Sequence, residues 1–332
     1  MTIPLSVLDL APVSTDSTVA GALRRTLEVA QAAERLGFRR FWVAEHHNMP
    51  GVASSAPAVL LAHVAMVTST IRVGSGGVML PNHAPLVVAE QFGMLESLHP
   101  GRVDLGIGRA PGTDRVTMHA LRRGADETVD EFPRHFTELL SFFDGHWPPD
   151  HPYRAITAVP GKGARPEVWL LGSSDFSARL AGHLGIPFAF AHHFSAANTR
   201  TAVDAYRESF QPSATLEAPH LMITANVVCA DTTERARWLA APGALSMLRL
   251  RTGRPAPIAT PEEAAAYRYT PAEREFVKAW TAPHLIGTPD EVVAGLCRLA
   301  GETGADELML AGNAVIDRIR SLELVAAAWT SS

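Results

Sequence analysis

Several short stretches of this sequence combine glycine with side chains that could bind a ligand or move a proton. They are E-H-H at 45–47, G-S-G-G at 74–77, G-R at 108–109, G-S-S at 172–174 and H-H at 192–193. Each stretch follows an apolar run, so it is expected to lie in the loop after a strand. Loops carry functional residues more often than cores do. Polar and small residues therefore gather where a ligand would lie.

The glycines around the third and fourth predicted strands have two interpretations. Glycine weakens a strand interior, so Gly74, Gly76, Gly77, Gly106 and Gly108 indicate either bulges and barrel corners or the close approach of a ligand. The polar side chains nearby favour a ligand, because strand ends made of glycine have no side chains and would add little to packing.

The histidine pairs 46–47 and 192–193 also raise the question of a metal. Adjacent strand residues point to opposite sides, so at most one ring of each pair should enter a cavity. The spacing matches no familiar ligand set, and we predict no metal. A glycosidase would need two acids in one cavity; of Asp9, Glu45 and Asp104, the last lies at the wrong end of its strand.

Arg109 and the serines at 173–174 form the best candidate anion site. Arg109 precedes A-P-G-T-D, and G-S-S-D at 172–175 opens a helix whose free N–H groups and dipole would favour a phosphate. Taken alone, Ser173 and Ser174 are more simply explained as an ordinary helix N-cap. Together with Arg109 they indicate a phosphorylated cofactor.

Eight apolar strands would position these stretches. They begin near residues 3, 40, 71, 102, 167, 187, 220 and 305, and nearly all are followed by segments of helical spacing. This alternation predicts a (β/α)8 TIM barrel, with its active site at the C-terminal ends of the strands. The alternative is a doubly wound sheet, but no G-x-G-x-x-G turn follows the first strand.

One segment, at about 241–285, interrupts the alternation. It is rich in proline, arginine and threonine, and a loop of this length in a compact fold is usually a lid or another functional segment. We interpret it as an insertion between the seventh and eighth strands that folds over the C-terminal face. Residues 1–332 are then a single domain.

Composition narrows the class of protein. The chain has 332 residues, a net charge of −5 and 47% hydrophobic residues, which is typical of a globular protein and gives nucleic acid no basic surface to bind. No signal peptide and no apolar window of about 18 residues is present, so we predict a cytoplasmic protein with no membrane partner. Cys229 and Cys297 lack CxxC spacing and are expected to be thiols.

Five motifs, in order along nearly the whole chain, resemble the bacterial-luciferase-like flavin monooxygenases, above all single-chain members in actinomycete polyketide pathways. The similarity is weakest at 241–285. The motifs are F-W-V-A-E-H-H at 41–47, V-G-S-G-G-V-M-L-P-N-H-A-P at 73–85, G-R-V-D-L-G-I-G-R-A-P-G-T-D at 101–114, L-L-G-S-S at 170–174 and H-L-I-G-T-P-D-E-V at 284–292.

The resemblance implies a barrel that binds reduced FMN at its mouth. His46 stands at the family's catalytic histidine, and Gly76-Gly77 at a non-prolyl cis peptide that supports the isoalloxazine ring. Arg109 matches the phosphate-binding arginine, and serines match hydroxyl positions at the phosphate helix. Those serines are Ser174 and Ser177, with Ser173 beside them. A second phosphate arginine has no clear match, although Arg122, Arg123 or an arginine of the insertion could replace it.

The implied reaction is oxygenation of a hydrophobic organic substrate by reduced FMN and O₂ through a flavin C4a-hydroperoxide. An aromatic polyketide in antibiotic biosynthesis is one such substrate. Reduced FMN would come from a separate NAD(P)H:flavin reductase. Two alternatives are F420-dependent hydride transfer and flavin binding without turnover. The family also implies a homodimer, for which residues 56–67 are apolar enough.

Overall fold

The computed structural model describes residues 3–110, 112–121, 131–312 and 314–330. Within these ranges eight parallel strands close into a barrel, because β6 pairs with β7, β7 with β9 and β9 with β1. The predicted (β/α)8 barrel is confirmed, and closure excludes the doubly wound sheet. The barrel strands are β1 (Leu5–Asp9), β2 (Arg40–Val43), β3 (Arg72–Met79), β4 (Val103–Gly108), β5 (Glu167–Gly172), β6 (Phe188–Phe190), β7 (Leu221–Cys229) and β9 (Glu307–Ala311).

Helices surround the barrel and fill the connections between its strands. They are α1 (Val19–Arg35), α2 (Pro57–Val67), α3 (Pro85–Leu98), α4 (Arg115–Leu121), α5 (Phe132–Asp144), α6 (Asp175–Leu184), α7 (His192–Ser195), α8 (Thr199–Ser209), α9 (Thr233–Arg251), α10 (Pro261–Ala266), α11 (Pro271–Thr281), α12 (Pro289–Thr303) and α13 (Arg318–Trp329). None of the helices in the described ranges combines the length and the apolar composition needed to cross a bilayer.

Alternation along each strand separates two cores. In β2, Phe41 and Val43 face the helices and pack in the large outer core, whereas Trp42 and Ala44 face the barrel interior. The interior core also contains Leu8, Trp169, Ala189, Met222, Met309 and Ala311. Because successive side chains of a strand point to opposite faces, a side chain an even number of positions from one of these interior residues also points into the barrel.

The interior core explains most of the glycines by packing. Trp42 and Trp169 are fully buried and meet edge to face, with ring centroids 5.4 Å apart. A Cβ on Gly74 would lie 2.6 Å from the Trp42 indole nitrogen, and a Cβ on Gly106 would lie 2.1 Å from the Ser75 carbonyl oxygen. The expectation that these glycines contribute little to packing was wrong, because the barrel itself occupies the space that a side chain would need.

The N-terminal end of the barrel is filled by charges. Arg40 is 1% exposed and lies 2.9 Å from Asp104 and 3.1 Å from Glu307, both fully buried, and 3.2 Å from Glu167. Burial alone would lower the pKa of Arg40, but these carboxylates outweigh it and raise that pKa. The layer joins β2, β4, β5 and β9 at the end opposite the mouth, where stability rather than catalysis is expected.

The 241–285 segment is mostly helical rather than a loop. Helix α9 runs through its start with Pro242 inside, and α10, α11 and the extra strand β8 (Leu285–Gly287) follow. Strand β8 pairs with the outer end of β7. The segment contacts the C-terminal face at two places: Ile258 exchanges backbone hydrogen bonds with the loop after β1, and Trp280 packs against Phe194 after β6. Its predicted position over that face agrees with these contacts.

Candidate active site

His46 lies at the barrel mouth because it continues the inward-facing series of β2. Trp42 and Ala44 belong to the interior core, so residue 46 points the same way, whereas Glu45 follows the outward series. Val43 is in register with Ser75 of β3, which brings His46 level with the end of β3.

Glu45 is a fully buried carboxylate that ties the end of β2 to the end of β3. Its Oε1 lies 2.8 Å from Nε2 of His47 and 2.8 Å from Nε2 of His83, and its Oε2 accepts the Met79 N–H at 2.9 Å. Burial would raise the pKa of Glu45, but the hydrogen bonds from His83 and His47 outweigh it and lower that pKa. Glu45 is therefore an ionised anchor and not a proton donor.

The same three side chains have the composition of a metal-ligand set. Glu45, His47 and His83 bring one ligand atom each within 4.8 Å of one another. Zinc would accept this chemistry. Both imidazoles are nevertheless at hydrogen-bonding distance from a single carboxylate oxygen, so hydrogen bonds account for the cluster without an ion.

His46 is partly buried, and its Nδ1 is a buried atom without a hydrogen-bond partner among the described residues. Its backbone N–H donates to Ser54, but among the described residues nothing hydrogen-bonds to its buried Nδ1. Burial lowers the pKa of His46; the charge of Glu45 opposes this shift without reversing it. A neutral imidazole with a free nitrogen at the mouth can accept a proton from a bound molecule.

The second histidine pair also sends one ring inward. His192 hydrogen-bonds Thr199 of α8 at 2.7 Å, whereas Nδ1 of His193 lies 3.3 Å from the carbonyl oxygen of Thr224 on the inner face of β7. The two histidines begin α7 instead of continuing β6, so the strand alternation on which the prediction rested does not apply to this pair. Burial lowers the pKa of His193 to about 4.

Asn226 and His284 complete this side of the mouth. Asn226 follows Met222 and Thr224 on the inward face of β7, and its Nδ2 lies 2.9 Å from Nε2 of His284, just before β8. Burial, followed by the charge of His192, lowers the pKa of His284 to about 4. The sequence patterns assigned no role to Asn226 and included His284 only as the first residue of a motif.

The end of β3 is irregular at the diglycine. The peptide bond between Gly76 and Gly77 is cis, as the resemblance implied, and the register with β4 shifts between Gly76 and Val78. A Cβ on Gly77 would lie 2.7 Å from the Gly106 carbonyl oxygen, and one on Gly76 would lie 2.7 Å from Leu8. Packing against rigid backbone therefore requires glycine at position 77, whereas at position 76 the contact is with the end of a flexible leucine side chain. The role of both glycines toward a flavin stays a prediction.

Strand register brings Arg109 to the start of α6. Met79, Gly108 and Leu171 are mutually paired across β3, β4 and β5, so the residues that follow them meet at the mouth. The Arg109 guanidinium stacks on the Phe176 ring, with 4.2 Å between its central carbon and the ring centroid. Arg109 has no ion pair within the described ranges. Phe176 is a partner that the sequence did not suggest.

The serines divide into two environments. Ser174 precedes α6 in an extended conformation, and its hydroxyl caps no N–H group in the part of the chain that the structure describes. The ordinary N-cap explanation therefore fails for Ser174, and Ser173 beside it is half-buried. Ser177 is 3% exposed and fills the space next to Gly172, so a phosphate would find Ser174 more accessible than Ser177.

The proposed substitutes for a second phosphate arginine are not all testable. Arg122 and Arg123 lie outside the described residues. Within the insertion, Arg251 stacks on Phe276 at 6.0 Å and Arg274 donates to the Tyr269 carbonyl at 2.6 Å, so both are held by the insertion itself.

Relatives with known sequences cover almost all of the chain. It is 47% identical to the uncharacterized protein YvbT of Bacillus subtilis over 98% of this chain and 96% of that protein. It is 44% identical to a luciferase-like monooxygenase of Escherichia coli over 97% and 96%. A third relative, 36% identical over 90% and 89%, is the N-acetyl-S-alkylcysteine monooxygenase of Bacillus subtilis.

Solved structures share the same barrel. The apo-MsnO8 crystal structure is 37% identical, superposes with a TM-score of 0.89 and covers 99% of both chains. Two structures below 25% identity show the fold alone: an oxygenating 3,6-diketocamphane monooxygenase constituent with FMN, with a TM-score of 0.74, and an F420-dependent secondary alcohol dehydrogenase with an F420-acetone adduct, at 0.69. The luciferase-like monooxygenase family model matches residues 3–307. The resemblance in the motifs is thereby confirmed, and this chain belongs to the luciferase-like monooxygenase family.

Proposed function

We propose that this protein is an FMN-dependent monooxygenase that uses reduced FMN and O₂ to oxygenate a hydrophobic organic substrate. The observation that carries the proposal is the convergence of Arg109, the uncapped start of α6 and the inward-facing His46 on one mouth. His46 follows β2, Arg109 follows β4, and α6 follows β5. These strands are neighbours in the barrel, with β3 and its bulge between β2 and β4.

The phosphate end fits the residues present. Arg109 carries a positive charge without an ion-pair partner in the described ranges, and Phe176 holds its guanidinium plane beside α6. The α6 dipole and Ser174 add N–H and O–H donors that are not used for capping. Asp175 in the first turn opposes an anion, but Arg179 lies 3.8 Å from it and offsets its charge.

The ring end fits as well. The β3 bulge at Gly76 and Gly77 presents backbone without side chains next to Leu171, and His46 approaches from β2. A bound reduced flavin would supply the electrons that activate O₂ for transfer of one oxygen atom. The chain's own part is to hold the ring against the bulge, exclude water and let His46 accept or return a proton at Nδ1.

Reduced flavin is proposed to come from a separate NAD(P)H:flavin reductase. The sequence has no G-x-G-x-x-G turn after β1, which a dinucleotide site of the usual kind would need. The barrel would then bind flavin that is already reduced.

The substrate is proposed to be apolar over most of its surface. Leu10 and Leu171 are partly buried above the interior core, and Phe194 and Trp280 cover the mouth from the side of the insertion. Trp42 and Phe190 are fully buried packing residues and are not available as lining. An aromatic polyketide, as suggested above for antibiotic biosynthesis, fits this surface, and so does the alkyl thioether in the name of the Bacillus subtilis relative.

A homodimer through α2 and α3 is also proposed. Apart from the exposed His63, helix α2 is apolar, and Met66 is 75% exposed on it, while Met94 and Leu98 of the adjacent α3 are 53% and 68% exposed. Exposed apolar side chains clustered on neighbouring helices are typical of subunit contacts.

Comparison of FMN with riboflavin tests the cofactor proposal. Reduced FMN should bind about ten- to a hundredfold more tightly than reduced riboflavin, because only FMN offers a phosphate to Arg109. Arg109→Gln should remove most of this preference in an anaerobic titration, and Arg115→Gln, at an exposed arginine on α4, should keep it. Binding of F420 in preference to both flavins would instead support hydride transfer.

A further inference from the structure

The wall of the mouth formed by the end of β7 contains a buried polar atom that the fold does not use. Asn226 is 3% exposed, and no hydrogen-bond partner for its Oδ1 lies among the residues described here. The buried Nδ1 of His46 is likewise without one. An unsatisfied buried acceptor destabilises a fold, so retaining one at a mouth suggests that a bound molecule completes it.

The orientation of the Asn226 amide follows from its neighbours. Its nitrogen lies 3.4 Å from the carbonyl oxygen of His193 and 2.9 Å from Nε2 of His284. A carbonyl oxygen can only accept, so the atom facing it must be the NH₂ group. The remaining oxygen of the amide is left as an acceptor.

The neighbouring histidines are also set as acceptors. Nδ1 of His193 faces the Thr224 carbonyl oxygen, so Nδ1 carries the proton and Nε2 has a free lone pair. Nε2 of His284 accepts from Asn226. This stretch of wall, formed by His193, Asn226 and His284 and here called the acceptor wall, therefore has two acceptors left for a bound molecule, Oδ1 of Asn226 and Nε2 of His193. The acceptor nitrogen of His284 is used by Asn226, so its proton lies on Nδ1.

We propose that the acceptor wall is a substrate subsite that takes an O–H or N–H donor, as in a phenol, an alcohol or a secondary amide. The inference rests on the proposed function, because His46 and the proposed flavin ring belong to the same mouth. A substrate held by its donor at Asn226 would have its apolar remainder against Leu10, Leu171 and Trp280, which selects amphipathic molecules over pure hydrocarbons.

Binding of two matched probes without flavin tests this subsite. 2-Naphthol and 2-methoxynaphthalene have the same ring system, but only the first has a donor. Naphthol should bind wild-type protein at least about tenfold more tightly, measured by ligand-observed NMR titration. Asn226→Leu should abolish the preference and leave the affinity for the ether unchanged, whereas Asn198→Leu, at an exposed asparagine before α8, should keep the preference.

A second variant covers the case in which Asn226→Leu does not fold. His193→Phe removes another acceptor and should reduce the preference for naphthol by severalfold. Equal binding of the two probes to wild-type protein would overturn the proposal. It would also be overturned if both variants kept the preference for naphthol, or if saturating FMN abolished naphthol binding. A preference for naphthol in a protein that binds no flavin would leave the subsite standing and remove the proposed function.

Discussion

Glu45 and His46 are adjacent in the chain and serve opposite electrostatic roles. Glu45 faces outward, receives hydrogen bonds from His47, His83 and the Met79 N–H, and is held as an anion. His46 faces the interior, where burial lowers its pKa and holds it neutral. The difference arises from strand alternation, which gives neighbouring residues different surroundings.

The depressed pKa of His46 predicts the pH dependence of its function. The pKa of His46 lies below the ordinary value of 6.5, so the ring is still neutral at pH 6.5. It gains a proton only in more acidic solution. If neutral His46 accepts a proton, reoxidation of bound reduced FMN by O₂ should change rate on an acid limb below pH 6.5. His46→Gln cannot titrate and should remove that limb and slow substrate oxygenation by about 10²–10⁴-fold.

The rate of reoxidation is measured by stopped flow for wild type and H46Q, at about ten pH values between about pH 5 and 8. His183→Gln, at an exposed histidine of α6, serves as the control and should behave as wild type. An acid limb of the same midpoint in H46Q would remove His46 from the proton transfer.

Glycines of β3 and β4 occupy positions where an added side chain would collide with a neighbouring strand. Gly74 and Gly106 leave room for Trp42 and for the Ser75 carbonyl, and Gly77 faces Gly106 across the bulge. The glycine pattern was visible in the sequence, but the reason for it was not. Which atoms fill the space beside a glycine depends on strand register and on the rotamer of a tryptophan from another strand.

Substitution of Gly106 tests this close approach. Gly106→Ala would place a methyl group 2.1 Å from the Ser75 carbonyl oxygen, in rigid backbone, and should lower the free energy of unfolding by about 1–3 kcal/mol or more. Gly301→Ala in α12, where no heavy atom lies within 4 Å of the new Cβ, should be neutral or stabilising by up to about 1 kcal/mol. Urea unfolding midpoints measure both; similar midpoints for the two variants would contradict the packing explanation.

The insertion shows where local sequence signals were misleading. Proline and threonine at 260–261 and 270–271 were taken as signs of a loop, yet each Thr-Pro pair begins a helix with a capping box, to Glu263 and to Glu273. Proline at the first helical position and glutamate three residues after the cap are helix-start signals. The pattern was present in the sequence and was outweighed by overall composition.

At the scale of the whole molecule, the ionic layer at the closed end holds the barrel strands together. Arg40→Met would remove the buried cation between Asp104 and Glu307, which would keep only the more exposed Arg72 and Arg39, and should lower the free energy of unfolding by about 3–5 kcal/mol. Arg200→Met breaks an exposed pair with Asp204 on α8 and should change stability by less than about 1 kcal/mol. Thermal and urea denaturation compare the two, and equal losses would show that burial of the Arg40 cluster carries no special weight.

Assembly is the second property of the whole molecule that can be measured. If α2 and α3 form the homodimer contact, the double variant Met66→Glu and Met94→Glu should sediment as a monomer at concentrations where wild type is a dimer, because it would bury like charges across the contact. Val116→Glu, at an exposed apolar residue on α4, should not change the mass. A wild-type protein that is monomeric at micromolar concentration would end the dimer proposal.

The sequence alone determined the alternation of eight strands with helices, the ends of strands at which chemistry was expected, and the family to which the motifs belong. These follow from local periodicity and from short contiguous motifs, which survive without knowledge of contacts. The tertiary structure decided which side chains meet: Arg109 with Phe176, Glu45 with His83, and Asn226 with His284. Those pairs join residues of different strands, helices and loops, so barrel closure and register, which no local pattern encodes, had to be known before their roles could be assigned.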